Sequence, residues 1–191
     1  MTTEADHAKQ LVRTQVWDAL DAAEAVHDTT AHGRIPNFKG AEQAADRLAE
    51  HPAWQSAKVI KAVPDKAQHA VRARALAEGK TVYMAVPKLA TPKPFYLLDP
   101  NRLTIPPHEA AHPRTAAARA PAVEVDALQP IDVIVLGSVA VNTTGVRLGK
   151  GAGYSDIEFA LLTEAGLITT DTLIVTTVHP LQIIDTPIPH T

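Results

Sequence analysis

Residues 131–156 read IDVIVLGSVAVNTTGVRLGKGAGYSD, and this stretch decides the fold. Its opening run, 131–136, is apolar apart from Asp132 and rich in β-branched residues, which predicts a short strand. A loop follows that holds Gly145, Gly149, Gly151 and Gly153, four of the nine glycines in the chain, with Arg147 and Lys150 among them. A helix is expected over 156–165, stopped by Gly166, and TLIVTTV (172–178) has the composition of a second strand. Strand, loop, helix and strand in that order make one β-α-β unit of a parallel sheet. Glycine loses more backbone freedom on folding than any other residue, so four in nine positions need a reason. Between a strand and a helix N-terminus, glycines let backbone N–H groups close on an anion. Arg147 and Lys150 would add charge-assisted bonds to it. A flexible surface connection is the competing interpretation. The spacing is not that of a P-loop: the interval from Gly145 to Gly149-Lys150 is one residue short, and Gly151 stands where Ser or Thr would meet magnesium. Gly149-x-Gly151-x-Gly153 also lacks the two-residue step of a dinucleotide fingerprint.

The β-α rhythm extends toward the N-terminus. Ala8, Leu11/Val12, Val16, Ala19/Leu20 and Ala23 recur at helical spacing and predict a helix over 5–28. A second helix is expected over 41–50, a strand over 57–63, a helix over 68–78 stopped by Gly79, and a strand over 81–86. Prolines at 87, 92, 94, 100, 106 and 107 predict an irregular passage with one short strand near 95–98. The Ala-rich 108–121 is a short helix or a surface segment. At 191 residues the chain fits a single domain, 1–191, with the irregular segment 87–121 inside it.

Composition narrows the function. The chain is 46% hydrophobic and 20% charged with formal charge −3, which gives no support for general nucleic-acid binding. Without cysteine there is no disulfide, thiolate metal site or thiol nucleophile. The start MTTEADHAKQ lacks the apolar core of a secretory signal, and no run approaches the ~20 apolar residues of a membrane span. A cytoplasmic protein without a membrane partner is expected.

His108-Glu109-Ala110-Ala111-His112 spells the H-E-x-x-H zinc signature, which needs one continuous helix. Pro113 pushes His112 away from helical geometry, so the match reads as chance. Ser155 and Glu158 have the spacing of a capping box, with Asp156 in the first helical turn. Asp156 is also a candidate magnesium ligand beside bound phosphates. Lys9 and Arg13, four apart on the first helix, are either a solvated face or a pair of phosphate clamps. Arg34-Ile-Pro-Asn-Phe-Lys-Gly40 is a loop whose mixture of cations and an aromatic suits ligand contact.

Taken together, KQLVR (9–13), VPK (86–88), IDVIVLGSVAV (131–141) and GVRLGKGAGYSD (145–156) resemble the 5-formyltetrahydrofolate cyclo-ligase family, also called methenyltetrahydrofolate synthetase. The resemblance implies a three-layer αβα sandwich with a mostly parallel sheet, akin to the sugar-isomerase and CoA-transferase folds. It implies MgATP-dependent conversion of 5-formyltetrahydrofolate to 5,10-methenyltetrahydrofolate: ATP phosphorylates the formyl oxygen, N10 attacks, and phosphate leaves. ATP, Mg²⁺ and a folate-type small molecule are therefore the implied ligands. Carried over by position, Lys9, Arg13, Arg147 and Lys150 hold phosphates, with Arg147 and Lys150 the catalytic charges. Gly145, Gly149, Gly151, Gly153 and Tyr154 contact the nucleotide, and Asp156 meets the metal. The family's loop usually continues Gly-Tyr-Tyr-Asp and a basic residue, whereas Tyr154 is followed here by Ser155, Asp156, Ile157 and Glu158. RIPNFKGA (34–41), GSVAV (137–141) and GKGAGYSDIE (149–158) are similar to a paralogous subgroup. For that subgroup the implied role is nucleotide binding without cyclo-ligase activity, with a proposed link to thiamine metabolism. The family also places a pterin-contacting glutamate around residues 60–75, and KAVPDKAQHAVRARA (61–75) contains none. A further strand is expected after VHPLQIIDTPIPHT (178–191).

Overall fold

A computed structural model describes residues 3–189. The apolar run in 131–136 forms strand β5 (Val133–Leu136), all four residues buried. It lies inside a six-stranded sheet with β1 (Val59–Ala62), β2 (Thr81–Ala85), β3 (Phe95–Leu98), β4 (Ala122–Val123) and β8 (Leu173–Thr176), in the order β4-β3-β2-β1-β5-β8. The β2–β1–β5–β8 block is parallel, and β3 and β4 extend it antiparallel. Parallel strands must be covered on both faces, and the helices do so. On one face Ile60, Ala62, Val82, Met84, Val133 and Val135 pack with Val71, Ala75 and Leu76 of α4 (His69–Ala77) and with Trp54 and Ala116. Helices α2 (Ala41–Ala49), α3 (Pro52–Ser56), α5 (Pro107–Ala110) and α6 (Pro113–Arg119) complete that layer. On the other face Leu162 of α7 (Tyr154–Glu164) packs with Val59, Val63, Tyr83, Ile134 and Leu136. This is the expected αβα sandwich.

A third cluster closes one end. Val12, Val16, Trp17 and Leu20 of α1 (Glu4–Ala22) pack with Val139, Ala140, Leu148 and Ile188. These belong to or flank a small sheet of β6 (Ala140–Asn142), β7 (Arg147–Leu148) and β9 (Ile183–Ile184).

Three differences from the sequence expectations have physical causes. The segment after β5 is not one open loop. Asn142 Oδ1 accepts from the backbone N–H groups of Thr144 and Val146, closing a tight turn that pairs β6 with β7. Helix α1 stops at Ala22 rather than reaching 28, because Glu24 adopts φ 49 and Val26 leaves to bridge with Phe38. The capping box expected at Ser155 and Glu158 does not form. Helix α7 starts two residues earlier on Gly153, in a left-handed conformation (φ 74) with no side-chain cap, and Glu158 turns into the core instead.

Candidate functional site

In open α/β sheets the crevice lies outside the carboxyl ends of the strands, where neighbouring strands send their connections to opposite faces. Here that point falls between β1 and β5: β1 leads into α4 on one face, β5 toward α7 on the other. A cavity of about 600 Å³ opens there, within the range of roughly 300–1,000 Å³ typical of small-molecule sites. Its walls come from the ends of β1 (Val63, Pro64, Asp65), β2 (Ala85, Val86) and β5 (Gly137). The remainder comes from α1 (Asp6, Lys9, Arg13), from Ile35, from Pro87 and Lys88 after β2, from 146–156 with Glu158, and from Pro189.

Nine of the ten residues singled out from the sequence reach this cavity: Lys9, Arg13, Arg147, Gly149, Lys150, Gly151, Gly153, Tyr154 and Asp156. Gly145 is not on its wall; with φ 86 it completes the β6–β7 turn. The cations differ in how they are held. Arg13 donates from Nε to the Gly149 carbonyl at 2.8 Å, so it organises the glycine loop from across the chain. Gly151 holds φ at 102, a left-handed conformation that strains any residue with a side chain, and packs beside the Arg13 guanidinium. Arg147 donates to the Gly137 carbonyl at 2.7 Å and to Ser138 Oγ at 3.2 Å, which locks it against the end of β5. Burial pushes the Arg147 pKa down, opposed by Asp156 and Asp65. Lys150 is exposed at the mouth. Gly153 offers no side-chain acceptor to cap α7, and the helix's first turn, Tyr154, Ser155 and Asp156, lines the cavity.

The sequence did not disclose Asp65. It lies just past β1, in the stretch 61–75 that contains no glutamate, and it lines the cavity. Desolvation raises its carboxyl above the ordinary aspartate range, with Lys150 and Arg72 opposing that rise and Glu158 adding to it. Its backbone is fixed by Arg72, a fully buried guanidinium that donates to the carbonyls of Val63 (2.6 Å), Asp65 (2.8 Å) and Ala111 (3.0 Å). Burial lowers Arg72 itself to about 10. Gly137 permits the close packing of this corner: a Cβ would fall 2.7 Å from Asp65 Oδ2, 2.9 Å from Ile35 Cγ2 and 3.3 Å from Gln68 Oε1. Gln68 Oε1 is buried and has no hydrogen-bond partner among the described residues. The signal that would have found Asp65 is positional: a polar residue directly after a strand-ending proline in a parallel sheet faces the crevice. Lys61 and Glu158 were missed as a pair. Both are buried, they form an ion pair, and Glu158 reaches the cavity wall.

The H-E-x-x-H stretch is split between two helices. Helix α5 ends at Ala110, and His112 is the extended N-cap of α6, where its Nδ1 accepts from the Arg114 backbone N–H. Among the described residues no group of three or more His, Asp or Glu side chains could by itself hold a metal ion. None of the described helices is long and apolar enough to cross a membrane.

Fold and site thus define an α/β sandwich with a glycine-lined cavity, bordered by cations and carboxylates, at the carboxyl ends of its parallel strands. The chain belongs to the 5-formyltetrahydrofolate cyclo-ligase family, whose sequence profile it matches over residues 5–191. It is 35% identical over 195 residues to the methenyltetrahydrofolate synthase domain-containing protein of Mus musculus, covering 98% of this chain and 51% of that protein. The Homo sapiens protein of the same name is 32% identical over 188 residues, covering 94% of this chain and 48% of that protein. The chain therefore spans about half the length of the curated relatives it matches. The NMR structure of 5,10-methenyltetrahydrofolate synthetase from Aquifex aeolicus superposes with a TM-score of 0.56 at 19% identity, over 99% of this chain and 84% of that one. At that identity the likeness establishes the shared fold.

Proposed function

We propose that the chain binds MgATP at the glycine-lined end of the cavity and uses it to convert 5-formyltetrahydrofolate to 5,10-methenyltetrahydrofolate. The observation that carries this reading is the convergence of Lys9, Arg13, Arg147 and Lys150 with three glycines of the loop on one cavity that also presents a half-buried carboxylate, Asp65. Phosphoryl transfer asks little covalent chemistry of a protein; it needs positioning and neutralisation of charge. Arg13 sets the shape of the loop, and Arg147 and Lys150 supply positive charge to the transferring group. A magnesium ion would arrive on the phosphates and take Asp156 as its protein ligand, in keeping with the one or two carboxylates that Mg²⁺ usually draws from protein. Asp65 would accept N–H groups of the pterin ring, the role the family gives to a glutamate in this stretch. With the formyl oxygen phosphorylated, N10 closes on the activated carbon and the C–O bond breaks to release phosphate.

Ser155, Ile157 and Glu158, standing where the resemblance implies Tyr-Asp and a basic residue, favour a second reading, and Glu158 lies on the cavity wall. In it the chain keeps the nucleotide site but acts on another small molecule. One assay separates the two. Purified chain mixed with 5-formyltetrahydrofolate and MgATP is followed by the absorbance of the methenyl product. Product that depends on both substrates supports the first reading. Its absence at high enzyme concentration, with MgATP binding intact by calorimetry, leaves the second.

A further inference from the structure

Helix α7 carries the far end of the glycine loop, yet little holds it in place. Of its eleven residues only Glu158 and Leu162 are buried, and Gly153 gives it no side-chain cap. Ile157 is 50% exposed and Phe159 37%, so apolar packing anchors one short strip. The glycines just before it resist no rotation. The remaining anchor is Lys61, at the centre of β1, whose ammonium meets the Glu158 carboxylate 97 residues away. Lys61 is 1% exposed, and its ammonium has no other hydrogen-bond partner among the described residues. Its register neighbours Tyr83 and Ile134 belong to the apolar cluster under α7. A charged pair in such surroundings is a poor stabiliser, because desolvating both ions cancels most of their attraction and apolar replacements are often neutral or better. Stability therefore does not account for it, whereas direction does: an ion pair fixes where a helix sits, and apolar contacts let it slide.

We infer that the buried Lys61–Glu158 pair is the positioning device that sets the first turn of α7 and the glycine loop against the sheet, and so sets the affinity of the cavity for nucleotide phosphate. The ligand half of this inference rests on the nucleotide reading above; the loop-ordering half does not. Lys61 and Glu158 are positioning residues here, acting through the backbone of 149–157.

The test compares the full chain with the double variant Lys61→Met/Glu158→Leu, the swapped variant Lys61→Glu/Glu158→Lys and Glu158→Gln. Three quantities are read: thermal stability, amide hydrogen exchange over 149–157 in the free protein, and the Kd for MgATP by calorimetry. The apolar double variant is expected to unfold at or above the wild-type temperature. Its loop amides should exchange about tenfold faster and MgATP should bind about tenfold more weakly, inside the range by which residues without ligand contact modulate binding. The swapped pair restores the strut with reversed polarity, so it returns both quantities toward wild type, and Glu158→Gln falls between. An apolar double variant with wild-type exchange and wild-type Kd overturns the inference. So does a folded swapped variant that recovers slow exchange but not affinity, since Glu158 would then be touching the ligand itself. If the swapped variant does not fold, Glu158→Gln decides by the same two quantities. Failure of wild type to bind MgATP refutes the nucleotide reading alone, and loop exchange still judges the strut.

Discussion

Replacing Gly137 with alanine places a methyl group in the tightest corner of the site. The new Cβ would lie 2.7 Å from Asp65 Oδ2, 2.9 Å from Ile35 Cγ2 and 3.3 Å from Gln68 Oε1. The backbone tolerates alanine there, since Gly137 is not among the glycines with positive φ, so the cost is steric. Asp65 is tied through its carbonyl to Arg72 and cannot retreat with its backbone. Gln68 is held by its donation to Thr177 Oγ1 at 3.0 Å. Overpacking of a rigid corner costs about 1–3 kcal/mol. For a domain of this size each kcal/mol lowers the melting temperature by about 2–4 °C, giving a drop of about 2–12 °C. The assay is thermal unfolding at neutral pH of wild type, Gly137→Ala, Asp65→Ala and the double variant. Removing the Asp65 carboxylate removes the nearest obstacle, so the double variant recovers part of the loss, with Ile35 accounting for the rest. An unchanged melting temperature in Gly137→Ala, or additive effects in the cycle, would refute the packing of β1 against β5 described here and with it the position of Asp65.

Lys150→Ala should weaken MgATP binding by about tenfold to a hundredfold, the loss expected for one charge-assisted bond, while the exposed position of Lys150 leaves the melting temperature unchanged. Arg13→Ala removes the bond to the Gly149 carbonyl and should both speed exchange in the glycine loop and weaken nucleotide binding; calorimetry and hydrogen exchange check the two together. Asp65→Asn tests the half-buried carboxyl. Its folded pKa is raised above the ordinary 3.8, chiefly by desolvation. The folded state therefore holds its proton more tightly than the unfolded state, and wild type loses stability as pH rises through that folded value. Asp65→Asn should accordingly melt above wild type at neutral pH, with the gap closing as pH falls toward 4. A gap that widens on acidification would show the carboxyl to be stabilised by its cations.

The central strand and the glycine loop after it were legible in 131–156 because each has a local cause: the β-branched Val133-Ile134-Val135 in one, glycines and cations ahead of a helix in the other. The small sheet was not, since β6, β7 and β9 have two or three residues apiece and β9 joins from some forty residues downstream. The early stop of α1 was hidden because no Gly or Pro marks it; the Val26–Phe38 bridge ends the helix from outside. Lys61 is inconspicuous within AKVIKAV, because strand periodicity says nothing about a neutralising partner in a helix 97 residues away. Ser155 and Glu158 carry capping-box spacing, but the helix begins two residues earlier on Gly153, which leaves Glu158 inside the helix and facing Lys61. Asp65 was obscured by its type, since an aspartate stands in a stretch where the family resemblance asks for glutamate.

The most direct test of the account follows one atom. The chain is given 5-formyltetrahydrofolate carrying a heavy-oxygen label on its formyl group, together with MgATP, and the products are separated and weighed by mass spectrometry. Activation of the formyl oxygen by phosphoryl transfer predicts that the label leaves in inorganic phosphate as the methenyl product forms. Product formed with the label released into water, or ATP consumed with no methenyl product at all, would contradict it.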